Sequence, residues 1–334
     1  MSGTISNNIG RSSGSITEPS GGVEILSSDP TLSNGLVWYN STSNTLKVAR
    51  DVAAWSSGGN LGTARIACTG HGTLSAGLIS TGSVSGSDTN TSEEYNGSSW
   101  SSGGNVNTAR ANHGGSGIQT SAMTFGGGGR STTTESYNGS SWTSEGALAA
   151  GRNTPVGAGI SETTTLCIAG DTSHNNEVTS VEEYGGSSWS SGDACGQARS
   201  TAGANGTETS VMKAGGWSSS AAQDDTETYN GSSWSTEAVL TLGNRRNGGY
   251  SGNSSSGILY TGDNGSSNYT STENWNGTAW STGAAVSTGK NNFGYHGDTN
   301  TEGWFAGGTD GTTAYLNTME EYEEGLRAMT VTTS

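Results

Sequence analysis

The chain has 334 residues, with 13 Lys and Arg against 29 Asp and Glu, and a formal net charge of −16. The few cations are scattered rather than clustered, which argues against a phosphate-backbone partner, so no nucleic acid is expected. Hydrophobic residues are only 29 %, but a charged fraction of 13 % and 10 Trp and 11 Tyr in regular array argue against disorder.

From the N-terminus, residues 1–22 are rich in Gly, Ser, Thr and Asn and read as an extended arm or one docked on another protein. They hold no apolar core of a secretory leader, and no run in the chain approaches the ~20 apolar residues of a membrane span. The chain is therefore expected to be soluble, made in a cytoplasm, and without membrane insertion. The stretch from Gly35 to Val48 predicts a β-hairpin: an apolar strand through Val37, Trp38 and Tyr39, a Ser-Thr-Ser-Asn turn, and a second strand through Leu46 and Val48.

Beyond residue 50 the sequence repeats. A cassette Glu-x-Tyr-Asn-Gly-Ser-Ser-Trp, with variants, contains Glu93, Tyr95 and Trp100, then Glu135, Tyr137 and Trp142, then Glu182, Tyr184 and Trp189. It continues with Glu227, Tyr229 and Trp234, then Glu273, Trp275 and Trp280. Glu320 and Tyr322 form a last half without its Trp, and Trp55 is a first half without its Glu-x-Tyr. A cation lies ten residues after most of these Trp residues: Arg65, Arg110, Arg152, Arg199 and Lys290. In the fifth copy Arg245 and Arg246 fall at eleven and twelve. Between cation and cassette runs a short apolar segment ending in Gly, such as Ala122–Phe125 before Gly126 and Gly127.

Each unit reads as four strands, and Asn-Gly before the Trp strand is a strong hairpin signal because both residues tolerate φ > 0. A period near 45 residues with four strands implies a propeller blade. The expected fold is all-β: a six-bladed β-propeller over residues 51–325, an N-terminal arm and hairpin over 1–50, and a tail over 326–334. Trp55 is expected to supply the missing outer strand of the last blade beside Tyr322, closing the ring by an N-terminal strand and removing an open sheet edge.

A residue present in every blade belongs to the blade. The repeat Glu residues (93, 135, 182, 227, 273, 320) are therefore expected to pair with the repeat cations, since an unpaired buried charge is costly. The repeat Trp residues are expected in packing between blades. Cys68, Cys167 and Cys195 show no paired spacing and read as small core residues. His71, His113 and His296 fall in equivalent strands, where they could face a central channel; none of the four His, including His174, has the spacing of a ligand pair, so no metal and no cofactor is expected. No catalytic set stands out. Aromatics that break the repeat are the binding candidates: Trp38, Trp217, Tyr250, Tyr269, Tyr295 and Trp304, of which Trp217 and Trp304 flank Gly-Gly positions and read equally as strand residues.

The order of Arg, apolar strand ending in Gly-Gly, Glu-x-Tyr and Trp resembles kelch-repeat propellers over residues 50–325. Two departures are visible: a lone Gly in the first, third and fifth units, and Trp275 in place of Tyr. The Tyr–Cys and His set of copper-radical kelch oxidases is not recognisable, nor is the Asp box of sialidases, so the resemblance implies a binding or structural module rather than an enzyme. The hairpin Trp38-Tyr39-Asn40-Ser41-Thr42-Ser43-Asn44-Thr45-Leu46-Lys47-Val48 before Gly/Ser-rich repeats resembles structural proteins of tailed bacteriophages. That resemblance implies a virion location and a tail fibre, head fibre or decoration protein involved in host attachment. Its implied partners are other virion proteins held through the N-terminal arm, host surface glycans, and further copies of itself in a homo-oligomer. A carbohydrate-binding, lectin-like extracellular propeller is the alternative.

Overall fold

The computed structural model describes residues 23–174, 176–218, 221–243, 245–312 and 314–331, and the expectation for residues 1–22 lies outside them. Every regular element among the described residues is a β-strand. The chain divides into two compact units, Met1–Val52 with Glu324–Ser334, and Ala53–Glu323.

In the first unit the expected hairpin forms. Strand Val37–Asn40 pairs antiparallel with the start of strand Thr45–Ser57, and Glu24–Leu26 pairs parallel to its outer side. Asn40 makes the turn: its Oδ1 accepts the N–H groups of Thr42 and Ser43 at 3.1 and 3.0 Å. The C-terminal residues, expected as a tail, include the end of strand Met319–Thr330, and Val331 N donates to Leu46 O at 2.8 Å.

The second unit has a propeller-like arrangement of sheets. The first sheet contains Thr69–Thr73, Ala76–Ser80, Ser92–Tyr95 and Trp100–Ser102 in chain order, each pair antiparallel. Four more repeat this plan, beginning at Gly114–Ile118, Val156–Ser161, Gly203–Thr207 and Gly249–Gly252 and ending at Trp142–Ser144, Trp189–Ser191, Trp234–Thr236 and Trp280–Thr282. The sixth sheet takes Gly294–His296, Glu302–Ala306 and the start of Met319–Thr330, followed by the end of Thr45–Ser57. In that last position the Trp55 ring lies 5.3 Å from Tyr322, the same pairing as Tyr95 with Trp100 at 4.9 Å.

The core lies between sheets rather than inside one. Leu78 of the first sheet packs with Ala122, Tyr137 and Trp142 of the second, and each later pair of neighbours has its own cluster. Trp304, Ala306 and Met319 of the sixth sheet pack in turn with Ile79 and Tyr95 of the first.

Backbone hydrogen bonds follow the same cycle. The N–H of Gly82, Gly127, Gly170, Gly216 and Gly262 each donates to the carbonyl of the cation in the following repeat, at 2.7–2.9 Å. Gly308 donates to Arg65 at 2.8 Å, from the sixth unit back to the first. These six positions require Gly. All have φ between 73° and 106°, and a Cβ would stand 2.6–2.9 Å from a backbone carbonyl oxygen of the same unit. The preceding position is less strict: Thr81, Ala169 and Thr261 take φ of 54°, 55° and 47° where the other units have Gly. The lone Gly of the odd units thus leaves the turn geometry unchanged.

Candidate binding sites

The repeated charges tie each sheet to the chain segment leading into it. In the first unit Arg65 donates from Nη2 to Glu93 Oε1 at 2.6 Å and from Nη1 to the carbonyls of Thr81 and Thr91 at 3.0 and 2.9 Å. Glu93 also accepts the N–H groups of Gly62 and Thr63. Arg110 with Glu135 and Arg152 with Glu182 repeat the 2.6 Å pair. A carboxylate so supplied with donors offsets the desolvation that burial costs.

The remaining three units vary. Glu227 pairs with Lys213 at 2.5 Å, while Arg199 stands 3.9 Å from it and turns to Asp225 at 3.2 Å. Lys213 was legible in the sequence as the only cation inside one of the apolar strands, and it is the cross-strand partner of Glu227. Glu273 lies 3.9 Å from Arg245 and takes the N–H and hydroxyl of Thr241. Glu320 accepts the N–H groups of Ser287 and Thr288, whereas Lys290 Nζ goes to the carbonyl and hydroxyl of Thr318. An ammonium on a linear stem lacks the guanidinium fork that lets Arg65 reach carbonyls and carboxylate together.

A second set of carboxylates joins neighbouring sheets. The Tyr229 hydroxyl donates to Glu183 at 3.0 Å, Tyr184 to Glu145 at 2.9 Å, and Tyr137 to Glu94. Tyr95 of the first sheet donates to Glu321 of the sixth at 2.5 Å. Burial first, then the carboxylate partner, pushes each of these four phenols up to about 12. The repeat's most conspicuous polar groups therefore have internal partners.

Residues with positive φ lie where the chain enters each sheet: Ala67, Asn112, Thr154, Thr201, Asn247 and Asn292, at φ 48–55°. The conformation suits Asn but is costly for β-branched Thr154 and Thr201. Tertiary bonds hold it. Asn112 N donates to Ala67 O, Thr154 to Asn112, Thr201 to Thr154 and Asn247 to Thr201, and Ala67 N donates to Asn292 O at 2.6 Å. All six residues line one cavity together with His113, Tyr295 and His296. The volume is about 100 Å³. At roughly 30 Å³ per water, that holds a few solvent molecules but no sizeable ligand.

The histidines here are neutral and occupied. His71 Nδ1–H donates to Ser116 O at 2.9 Å, which leaves Nε2 to accept from Ser80 Oγ at 3.0 Å, and burial pulls its pKa down to about 3. His296 Nδ1–H donates to Gly72 O at 2.9 Å, and burial lowers His113 and His296 as well. His174 is exposed on a turn. Among the described residues no group of three His, Cys, Asp or Glu side chains could hold a metal ion.

Of the aromatic candidates, three are corrected by burial. Trp38, Tyr250 and Trp304 are each 0 % exposed and present no face to a ligand. Trp38 Nε1 donates to Asp29, the Tyr250 hydroxyl to Asn253 O, and Trp304 Nε1 to Gly72 O. Tyr250 and Trp304 fill gaps between neighbouring sheets, whereas Trp38 is buried in the first unit beside Asp29. Tyr295 lines the cavity among the six positive-φ residues, with its hydroxyl between the N–H and carbonyl of Ala204. Trp217 and Tyr269 remain half-exposed, and together they border a second hollow of about 680 Å³ between the fourth and fifth units.

Comparison of the chain with protein-family models and with curated proteins finds no match.

Proposed function

We propose that residues 53–323 form a closed six-bladed, kelch-like propeller that acts as a structural and binding module, not an enzyme. The cycle of equivalent hydrogen bonds from Gly82 onward, with Gly308 returning to Arg65, supports closure. The observation that carries the functional reading is the use of the repeated charges: Arg65, Arg110 and Arg152 are spent on Glu93, Glu135 and Glu182, each pair buried. Groups committed to holding sheets together cannot also turn over a substrate, so function falls to the irregular surface.

In this reading the protein is a virion component of a tailed phage, a fibre or decoration protein that contacts the host surface. The N-terminal segment with its hairpin anchors it to other virion proteins, and copies assemble on the particle. The hairpin's tight Asn40 turn supports such a role. Mass spectrometry and electron microscopy of purified particles from cells producing the chain test it. The expected result is the chain in the particle fraction at a stoichiometry fitting a fibre or decoration site; its absence from purified particles would refute the proposal.

A further inference from the structure

The strongest local departures from the repeat lie side by side. One residue beyond the required Gly, the other units have Ser83, Gly128, Asp171, Asp263 and Thr309; the fourth has Trp217. In the fifth unit the cation position belongs to Arg245, because the carbonyl that faces the required Gly262 is that of Arg246. Arg246 is thus an additional cation at the position of Ile66, and its guanidinium lies 4.5 Å over the Trp217 ring. Asp263 fixes this stack: its Oδ1 accepts from Arg246 Nε at 2.7 Å and Gly265 N at 2.7 Å, and its Oδ2 from Asn247 at 2.9 Å. Tyr269 is backed in the same way, with Arg245 5.1 Å from its ring.

Two aromatic rings, each held by a cation, therefore border one hollow whose remaining wall includes Asn264 and Ser266. Its volume of about 680 Å³ falls within the usual range for ligand sites, whereas the cavity lined by Tyr295, about 100 Å³, does not. The Asn264 turn is preset, with Oδ1 accepting the N–H groups of Ser266 and Ser267 at 3.0 Å.

We infer that this hollow is a binding site for a short neutral oligosaccharide, with Trp217 and Tyr269 as its stacking faces. This rests on the binding role proposed above and names the site and ligand class. The chemistry favours a sugar. Aromatic faces pack against the C–H face of a pyranose, and Asn264, Ser266 and their backbone offer partners for hydroxyls. The site carries little net charge, because Arg246 is paired with Asp263 and Arg245 faces Glu273. That selects against acidic sugars, and rings already facing guanidinium groups are poor hosts for a further cation.

The test is titration of the full chain with maltotriose, cellotriose, mannotriose and chitotriose, followed by Trp fluorescence and saturation-transfer NMR. At least one trisaccharide is expected to bind with Kd on the order of 0.1–1 mM. Trp217→Ala and Tyr269→Ala should each weaken it at least about tenfold while the chain still unfolds in a single cooperative transition, and Trp217→Tyr should retain it within a few-fold. No binding by any of the four, binding that survives both Ala substitutions, or binding of choline in their place would overturn the site. Particle association of the same variants is scored separately: intact association without saccharide binding sinks this site alone.

Discussion

The junction between the sixth and first sheets can be tested through one hydrogen bond. Tyr95 and Glu321 are 226 residues apart and meet at 2.5 Å. Tyr95 is 1 % exposed and Glu321 half-buried. A neutral donor on a carboxylate is worth about 1.5–3 kcal/mol when buried, and solvent at Glu321 brings the expectation to about 1–2 kcal/mol. Tyr95→Phe and Glu321→Gln, singly and together, form a double-mutant cycle read by urea denaturation. The coupling expected is about 1 kcal/mol or more. Tyr229 and Glu183 provide the reference, since they make the equivalent bond at 3.0 Å between the third and fourth sheets. If the ring is closed, both cycles give similar coupling. Coupling for Tyr229 with Glu183 but none for Tyr95 with Glu321 would refute closure, because only an open ring leaves the end sheets independent.

Gly308 and Gly86 share a φ of 84°, but a Cβ at Gly308 meets Asn291 O at 2.6 Å whereas one at Gly86 meets nothing. Gly86→Ala should cost about 1 kcal/mol and Gly308→Ala at least about 2 kcal/mol more in thermal or urea melts; equal costs would show that the backbone approach is not limiting. Lys213→Leu leaves Glu227 buried with Arg199 at 3.9 Å, and should destabilise by about 3 kcal/mol in the same assay. Burial holds the pKa of His71, His113 and His296 below the unfolded value near 6.5, so the unfolded state takes up protons first as pH falls. Stability is therefore full above pH 6.5 and declines below it, by up to about 1.4 kcal/mol per pH unit for each His; melts from pH 7 to 4 follow this, and His71→Asn should flatten the slope. Tyr95, Tyr137, Tyr184 and Tyr229, raised to about 12, act oppositely: their contribution is intact below the unfolded value of 10 and is lost as pH climbs toward 12. Alkaline melts should show that loss, and Tyr229→Phe should reduce it.

Much of this architecture was legible in the sequence because blades are local. The Trp positions, Asn-Gly turns and Glu-x-Tyr strands sit within one repeat of about 45 residues, and the hydrogen bonds that form a four-stranded sheet close within it. The position of Trp55 beside Tyr322 followed from the same logic, since two half-repeats complement each other. Residues acting between repeats were harder to read. Glu94, Glu183 and Glu321 each follow a repeat Glu and carry no mark of their own in the sequence, yet they receive tyrosine hydroxyls from the next sheet. The roles of Arg245 and Arg246 could not be separated by counting, because the additional residue shifts both; the carbonyl facing Gly262 separates them.

The binding candidates divide for the same reason. Breaking the repeat identified six aromatics, but the pattern carries no information on which lie in the gap between two sheets. Tyr250 and Trp304 do, and Trp38 is buried within its own neighbourhood of Asp29. Trp217 and Tyr269 come from different units and share a hollow only because two neighbouring loops converge. Sequence alone determined the four-stranded plan of the repeats, their turns and their number, since these depend on residues close along the chain. Tertiary structure decided which charges pair across sheets and which aromatic rings remain open to solvent, because those depend on how one sheet packs against the next.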